Sequence, residues 1–419
     1  MSEREGPAIG SGIDRRTFLG GAAAGLGLAL APGLALAAGD ADAPRVRRTV
    51  RLGRTGLQVP DIGFGTARLE GDEALVHHAL ARGITYFDSA EIYTDGRAEE
   101  TLGRALAGVR DQVALTSKVV LEPDSKRQKM MDALEGSLKR LRTDRIDVYF
   151  SHSVNHPGTV QNPEWPEFVA QAKKQGKIRF SGVSGHGGRL GECLDSVLDH
   201  DLADVLLVAH NFGQDPAFYQ KFTASFDFVA VQPELPRLLA KAKQKDVGVV
   251  AMKTLRGAKL NDMRPYERPG GTFAQAAFRW VLSQPHVDSL VVTMTSPAQV
   301  DEYLGASGAV RTSRDDLRLL ALYEARNGRA VCRPACGGCL DACPEGVPIA
   351  EALRTRMYAD DYGDEALARR EYARLGAGAA ACATCSHQAC ASACPFGVPI
   401  PELTRPLHGR IAGSRGERA

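Results

Sequence analysis

The sequence predicts an α/β chain: a (β/α)8 barrel of the TIM type followed by a small, mostly helical, cysteine-rich domain. Three observations carry this expectation. Short apolar runs alternate with amphipathic stretches eight times between Ile62 and Ala306, over about 245 residues, close to the usual size of such a barrel. Ionisable residues stand at the ends of three consecutive runs. Eight of the nine cysteines lie after residue 331, in two copies of one motif. A chain of 419 residues has room for both parts. A net charge of +2 without basic blocks argues against nucleic acid as a partner.

The N-terminus reads Asp14-Arg15-Arg16-Thr17-Phe18-Leu19 and then runs through 23 uncharged residues, Thr17 to Gly39. Ala35-Leu36-Ala37 supplies a small-x-small cleavage site. The twin arginine is similar to the Tat (twin-arginine) export signal. The resemblance implies residues 1–37 as a signal peptide, a Tat translocon as partner and a periplasmic mature form beginning near Ala38. An uncleaved membrane anchor is the alternative, weakened by the glycines and Pro32 within the run.

From Thr49 to Val59, TVRLGRTGLQV has the pattern of a small hairpin with Gly53 and Gly56 bracketing its turn. Strands are expected at Ile62–Phe64, Thr85–Phe87, Val113–Ser117, Ile146–Phe150, Arg179–Val183, Val205–Val208, Gly248–Met252 and Ser289–Val292. Helices are expected at Asp72–Arg82, Glu99–Ala107, Lys126–Leu141, Glu164–Gln175, Leu190–Leu198, Pro236–Lys245, Phe273–Ser283 and Ala298–Ala306. A doubly wound sheet is the rival. Its Gly-rich fingerprint is missing, because Gly185-His186-Gly187-Gly188 lacks the GxGxxG order and comes late.

The second expected strand leads into Asp88, with Tyr93 five residues on. The third finishes on Lys118 (VALTSK) and the fourth on His152 (IDVYFSH). In a barrel of this type such positions gather at one mouth. Singly, each residue has an ordinary structural reading; together they form a proton-transfer set. With FDSAEIY, LTSKV, IDVYFSH and GVSGH around them, they resemble the aldo/keto reductase family. The resemblance implies an oxidoreductase acting on a small-molecule carbonyl or alcohol, with Asp88, Tyr93, Lys118 and His152 catalytic. Tyr93 would be the general acid, Lys118 would lower its pKa, Asp88 would hold the lysine and His152 would orient the carbonyl.

The resemblance also implies NADPH or NADH, with Ser184, Asn211, Lys253, Leu255, Gln299 and Glu302 as its contacts. The chain departs from the family here. Gly185 replaces the Asn that follows the serine, Leu207 stands at the Gln position, and Met252 replaces the ring-stacking Tyr. TMTSPAQVDEY from Thr293 carries no Lys or Arg.

ACPEGVPIAEALR (Ala342 to Arg354) recurs as ACPFGVPIPELTR (Ala393 to Arg405), offset by 51 residues. Each copy closes a four-cysteine motif: Cys332, Cys336, Cys339 and Cys343, then Cys382, Cys385, Cys390 and Cys394. Both resemble the bacterial ferredoxin run C-x2-C-x2-C-x3-C-P with one interval loosened, which implies two [4Fe-4S] clusters, one per motif or with a ligand exchanged between motifs. Disulfides and structural zinc compete. The Cys-Pro endings favour iron–sulfur, as does an export route that carries folded proteins. Cys193 reads as an inert core residue.

The expected domains are therefore the signal at 1–37, the barrel at 45–310, a connecting helix at 311–330 and a ferredoxin-like iron–sulfur domain at 331–419. Within Ser313 to Arg326, Leu317, Leu320, Ala321 and Glu324 share the face expected to pack on the barrel, and Gly328 follows as a stop. Such a helix is long enough to carry the cysteine domain to the catalytic face, where it would wall part of the mouth. The alternative to a reductase is a cluster-fed redox or electron-transfer protein, with an electron-transfer partner, whose barrel does not turn over NAD(P)H.

Overall fold

Eight parallel strands close on themselves in chain order. The computed structural model describes residues 43–214, 234–256, 263–328, 332–333, 336–361 and 363–412. The twin-arginine segment lies outside the described residues. An antiparallel hairpin of β1 (Thr49–Arg51) and β2 (Gln58–Pro60) comes first. The barrel strands are β3 (Ile62–Gly65), β4 (Tyr86–Asp88), β5 (Ala114–Val120), β6 (Ile146–His152), β7 (Ile178–Gly185), β8 (Val205–Ala209), β9 (Gly248–Met252) and β10 (Ser289–Thr293). β10 pairs with both β9 and β3, which closes the ring.

The strands read as apolar runs because both faces are covered; every residue of β6 is buried. Inward-facing Tyr86, Val148, Phe150, Val205, Leu207, Val250 and Val291 fill the barrel, and Leu52, Leu57 and Val59 from the hairpin join them. The hairpin therefore plugs the end where the strands begin. Gly53 makes the close approach, with φ at +47° and no room for a Cβ against the Gly248 backbone. The expected helices follow within two residues at most ends, among them Glu73–Ala81, Arg127–Leu141 and Phe273–Leu282.

Beyond β10 the described residues contain helices and turns and no strand. Helices Ile349–Asp360, Glu365–Ala373 and Ile400–Ala412 form a small layer. Ala352, Ala368, Tyr372, Ala379, Leu407 and Ile411 make its own core. Val347, Ile349, Leu353, Phe396 and Val398, with Cys336 and Cys339, join the core of the barrel instead. The C-terminal region thus packs as a continuation of the barrel.

The connecting helix, Arg314–Asn327, starts with a capping box in which Ser313 and Asp316 exchange bonds. Its buried face differs from the expected one. Asp316, Leu319, Leu320, Tyr323 and Glu324 are buried, while Leu317 and Ala321 are only partly so. Two pairings turn the helix this way. Asp316 accepts from Arg268 (2.8 Å) and Arg279 (3.0 Å). Glu324 accepts from Arg256 (2.5 and 2.6 Å) and from Arg333 (2.8 Å), and all three side chains are buried. Gly328 has a right-handed φ of −59°, so it is not a left-handed stop. A Cβ there would fall on the Glu324 carboxylate, and the Gly328 carbonyl accepts from Arg333 at 2.7 Å. Glu324→Ala removes the carboxylate shared by two buried guanidiniums and should cost about 3–5 kcal/mol, read as a lowered urea midpoint; a loss below about 1 kcal/mol would mean the triad is not a structural tie.

Candidate active site

Asp88 closes β4, Lys118 lies two residues before the end of β5, and His152 closes β6. β5 runs past Lys118 because Val119 and Val120 go on pairing with Ser151 and His152. Tyr93 opens a tight turn, Tyr93–Gly96, in which Thr94 and Asp95 take positive φ and Gly96 completes the reversal at +87°. The four residues meet. Lys118 Nζ donates to Asp88 Oδ2 at 2.8 Å and to the Ser89 carbonyl, while Thr116 Oγ1 donates to Asp88 Oδ1 at 2.8 Å. The Lys118 ammonium lies 4.9 Å from the centre of the Tyr93 ring, and His152 meets that ring edge-on, centroids 5.7 Å apart.

Burial dominates the electrostatics. It pushes the Tyr93 phenol well above its ordinary 10, and the Asp88 carboxylate adds to the rise. This reverses the expected lowering by Lys118. Asp88 sits in contact with the ammonium and neutralises it, so little net positive field reaches the phenol. Burial also lowers the Lys118 pKa, against the opposing pull of Asp88. His152 is held neutral, its pKa driven well below 6.5 by burial and then by Lys118, Arg374 and Lys253.

A cavity of about 820 Å³ opens at this mouth. Of the expected catalytic residues, Asp88, Tyr93 and His152 line it, and Lys118 lies just beneath. Of the expected cofactor contacts, Lys253, Leu255 and Gln299 line it, with Met252, Thr293 and Thr295 beside them. Ser184, Asn211 and Glu302 do not. Ser184 Oγ accepts from the Ser153 backbone at 3.2 Å, and Asn211 Nδ2 donates to the Lys253 carbonyl at 3.2 Å. Glu302 is partly exposed, and its carbonyl takes a bond from Gln275. The cavity is of a size to take small-molecule ligands, and Lys253, Leu255 and Gln299 are side chains a dinucleotide could contact. The far wall comes from the C-terminal layer: Tyr358, Leu367, Arg370, Glu371 and Arg374. Nothing in the sequence marked these five; an Arg370/Arg374 pair at helical spacing was the only signal. His186 also lines the cavity, next to Ser153 Oγ at 3.4 Å.

None of the nine cysteines is in a disulfide. Cys332, Cys336, Cys339 and Cys394 line one cleft, so the second motif's last cysteine joins the first motif's first three. Cys343 keeps company with Cys382, Cys385 and Cys390, and Cys339 is near enough to Cys390 to sense it. Two adjacent sets of four thiols fit a pair of four-iron clusters with one ligand exchanged. Among the described residues no three ligating side chains close up as a single ion would require. The first cleft encloses about 10 Å³, so its four thiols would have to spread to seat a cube. Burial raises the Cys332 and Cys339 thiols to about 12, a cost that a bound cation would reverse. The Val347 N–H donates to Cys343 Sγ at 3.4 Å.

A closed parallel barrel that gathers a phenol, an imidazole and a buried ion pair at its strand ends has the architecture of a barrel enzyme with its candidate site at that mouth. Residues 61–273 match the profile of the Aldo/keto reductase family. Methylglyoxal reductase YeaE of Escherichia coli is 36% identical over 135 residues, which cover 30% of this chain and 46% of that protein. The match thus spans about half the length of that relative. The oxidoreductase YqkF of Bacillus subtilis is 24% identical over 297 residues, 65% of this chain and 95% of its own. Among solved structures, an aldo-keto reductase from Klebsiella pneumoniae in complex with NADPH is 28% identical, covers 66% of this chain and 95% of its own, and superposes with a TM-score of 0.51. The chain belongs to the aldo/keto reductase family and is an oxidoreductase.

His152, His186 and His210 are all held neutral by burial, His210 at a pKa of about 4. The unfolded chain takes up protons below about 6.5 and the folded chain does not. Stability should therefore be insensitive to these groups above pH 6.5 and fall below it, by about 1 kcal/mol per histidine between pH 6 and 5. His210→Gln should remove one such share from the difference between urea titrations at the two pH values. An unchanged slope would mean that His210 titrates in the folded state.

Proposed function

We propose that this protein is an exported carbonyl reductase, also able to oxidise the alcohol, in which Tyr93 is the general acid and the C-terminal domain holds two [4Fe-4S] clusters. One observation carries the reading: the Asp88–Lys118 pair, the Tyr93 phenol and a neutral His152 converge beside one cavity. A phenol with a raised pKa is fully protonated at neutral pH, the form that donates to a developing alkoxide. Neutral His152 donates its ring N–H to the carbonyl oxygen without adding charge. Asp88 keeps the Lys118 ammonium in place beside the Tyr93 ring. Bound NADPH or NADH supplies the hydride.

Lys253, Leu255 and Gln299 are the proposed dinucleotide contacts on the cavity wall, with Ser184, Asn211 and Glu302 supporting them from outside it. Cys332, Cys336, Cys339 and Cys394 would hold one cluster, and Cys343, Cys382, Cys385 and Cys390 the other; when bound, such clusters supply single electrons. Methylglyoxal, named for a relative, is the first carbonyl to try.

A second reading draws on the loop after β7. A Cβ on Gly188 would lie 2.7 Å from Leu340 and 3.6 Å from the Cys336 carbonyl, so the first cysteine loop rests on the loop that carries His186 to the cavity. That contact favours a cluster-fed redox or electron-transfer protein, with an external electron-transfer partner, whose barrel does not turn over NAD(P)H.

Tyr93→Phe should lower carbonyl reduction by about 10²–10⁴-fold while leaving dinucleotide affinity within about twofold. Retained turnover would reassign the acid, and the absence of any dinucleotide binding would favour the second reading. Mature protein recovered without oxygen from the periplasm should begin near Ala38, be brown and carry about eight irons per chain. Colourless protein with one or two zinc ions would sink the cluster assignment, and a native Met1 on that protein would sink the cleaved signal.

A further inference from the structure

Five cations line the cavity: Arg68, Arg140, Lys253, Arg370 and Arg374 from this barrel and its C-terminal layer. Four are paired with carboxylates: Arg68 with Asp364 (3.5 Å), Arg140 with Glu99 (2.7 Å), Arg370 with Asp95 (3.9 Å) and Arg374 with Glu371 (3.1 Å). Among the described residues Lys253 has no carboxylate partner. Its ammonium donates to the Tyr358 hydroxyl at 2.8 Å and lies 5.3 Å from the centre of that ring. Its backbone is in the left-handed region, with φ at +54°. Bonds to its carbonyl from Asn211 (3.2 Å) and the Arg256 N–H (3.2 Å) hold that conformation. A strained lysine kept on a cavity wall with only a phenol for a partner is a positive charge in want of an anion.

Arg374 is the second element. It follows helix Glu365–Ala373, and its tie to Glu371 joins two partly exposed side chains three residues apart. Such a pair is worth about 0–1 kcal/mol, so a ligand carboxylate can recruit the guanidinium at little cost. Both cations line the same cavity as Tyr93 and His152, and burial apart, each lowers the His152 pKa while Arg374 also acts on the Tyr93 phenol. An anion bound between them therefore lies next to the carbonyl that Tyr93 and His152 address.

We propose that Lys253 and Arg374 form an anion clamp beside Tyr93 and His152, and that the preferred substrates are short carbonyl compounds with a carboxylate adjacent to the carbonyl, the 2-oxo acids. The inference rests on the carbonyl-reductase reading, reassigns the Lys253 ammonium from the dinucleotide contacts proposed above to the substrate, and makes the C-terminal domain a specificity determinant. A dinucleotide phosphate presents the same oxyanion chemistry, and the test separates the two sources.

The test uses the full mature protein with its clusters. Turnover of pyruvate is compared with that of methyl pyruvate, which lacks the charge, and calorimetry measures binding of oxamate, a non-reducible mimic, with and without NADP⁺. Arg374→Gln should lower the pyruvate-to-ester ratio of kcat/KM, and weaken oxamate, by on the order of tenfold to a hundredfold, the range for losing a charged hydrogen bond. Lys253→Met should move both in the same direction. If Lys253→Met does not fold, Arg374→Gln still decides, because that side chain is partly exposed. An unchanged ratio, or affinity lost only for NADP⁺, overturns the clamp. Turnover of the ester without oxamate binding leaves the reductase and removes the clamp. Oxamate binding that Arg374→Gln weakens, in a protein that reduces no carbonyl, leaves the clamp and removes the reductase.

Discussion

One buried carboxylate ties the chain's parts together. Glu324, on the helix leaving the barrel, bonds Arg256 from the loop after β9 and Arg333 from the segment beside Cys332. Desolvating three charges is expensive, and the gain over a well-packed apolar contact is small. What the triad provides is direction. Its partners face one another in only one docking, so the cysteine-bearing layer comes to rest over the mouth. Gly328 yields its side chain to make room for that carboxylate. The cavity wall formed by Tyr358 and Arg374 follows from this docking.

The Asp88–Lys118 pair obeys a related constraint. Lys118 is almost wholly buried, and an ammonium there is tolerable only with Asp88 at 2.8 Å. The partner that makes the lysine affordable also cancels most of its field at Tyr93. The same charge cannot both be neutralised by Asp88 and lower the phenol's pKa, so burial keeps Tyr93 protonated.

The barrel was legible because each strand is buried on both faces and bounded by polar turns, so apolar runs such as Val205–Val208 stand out. Asp88, Tyr93, Lys118 and His152 were legible because strand ends converge in a closed barrel. Other features have no local signature. Whether β5 stops at Lys118 or runs to Val120 depends on its neighbour's register. The rotation of the connecting helix depends on arginines far away in sequence. The repeat places four cysteines in each copy, yet Cys394 lies with the first three of the other copy. A repeat describes the chain in one dimension, and such an exchange appears only once the two copies fold against each other. Tyr358, Arg370 and Arg374 reached the cavity by docking, which no periodicity encodes.

The hairpin has a kinetic consequence. Leu52, Leu57 and Val59 stop the barrel where its strands begin, and the C-terminal layer narrows the opposite end. Dinucleotide and carbonyl compound would then share one doorway and one chamber. Whichever reached deeper would have to arrive first and depart last, so a chamber with one doorway would impose a queue on its ligands.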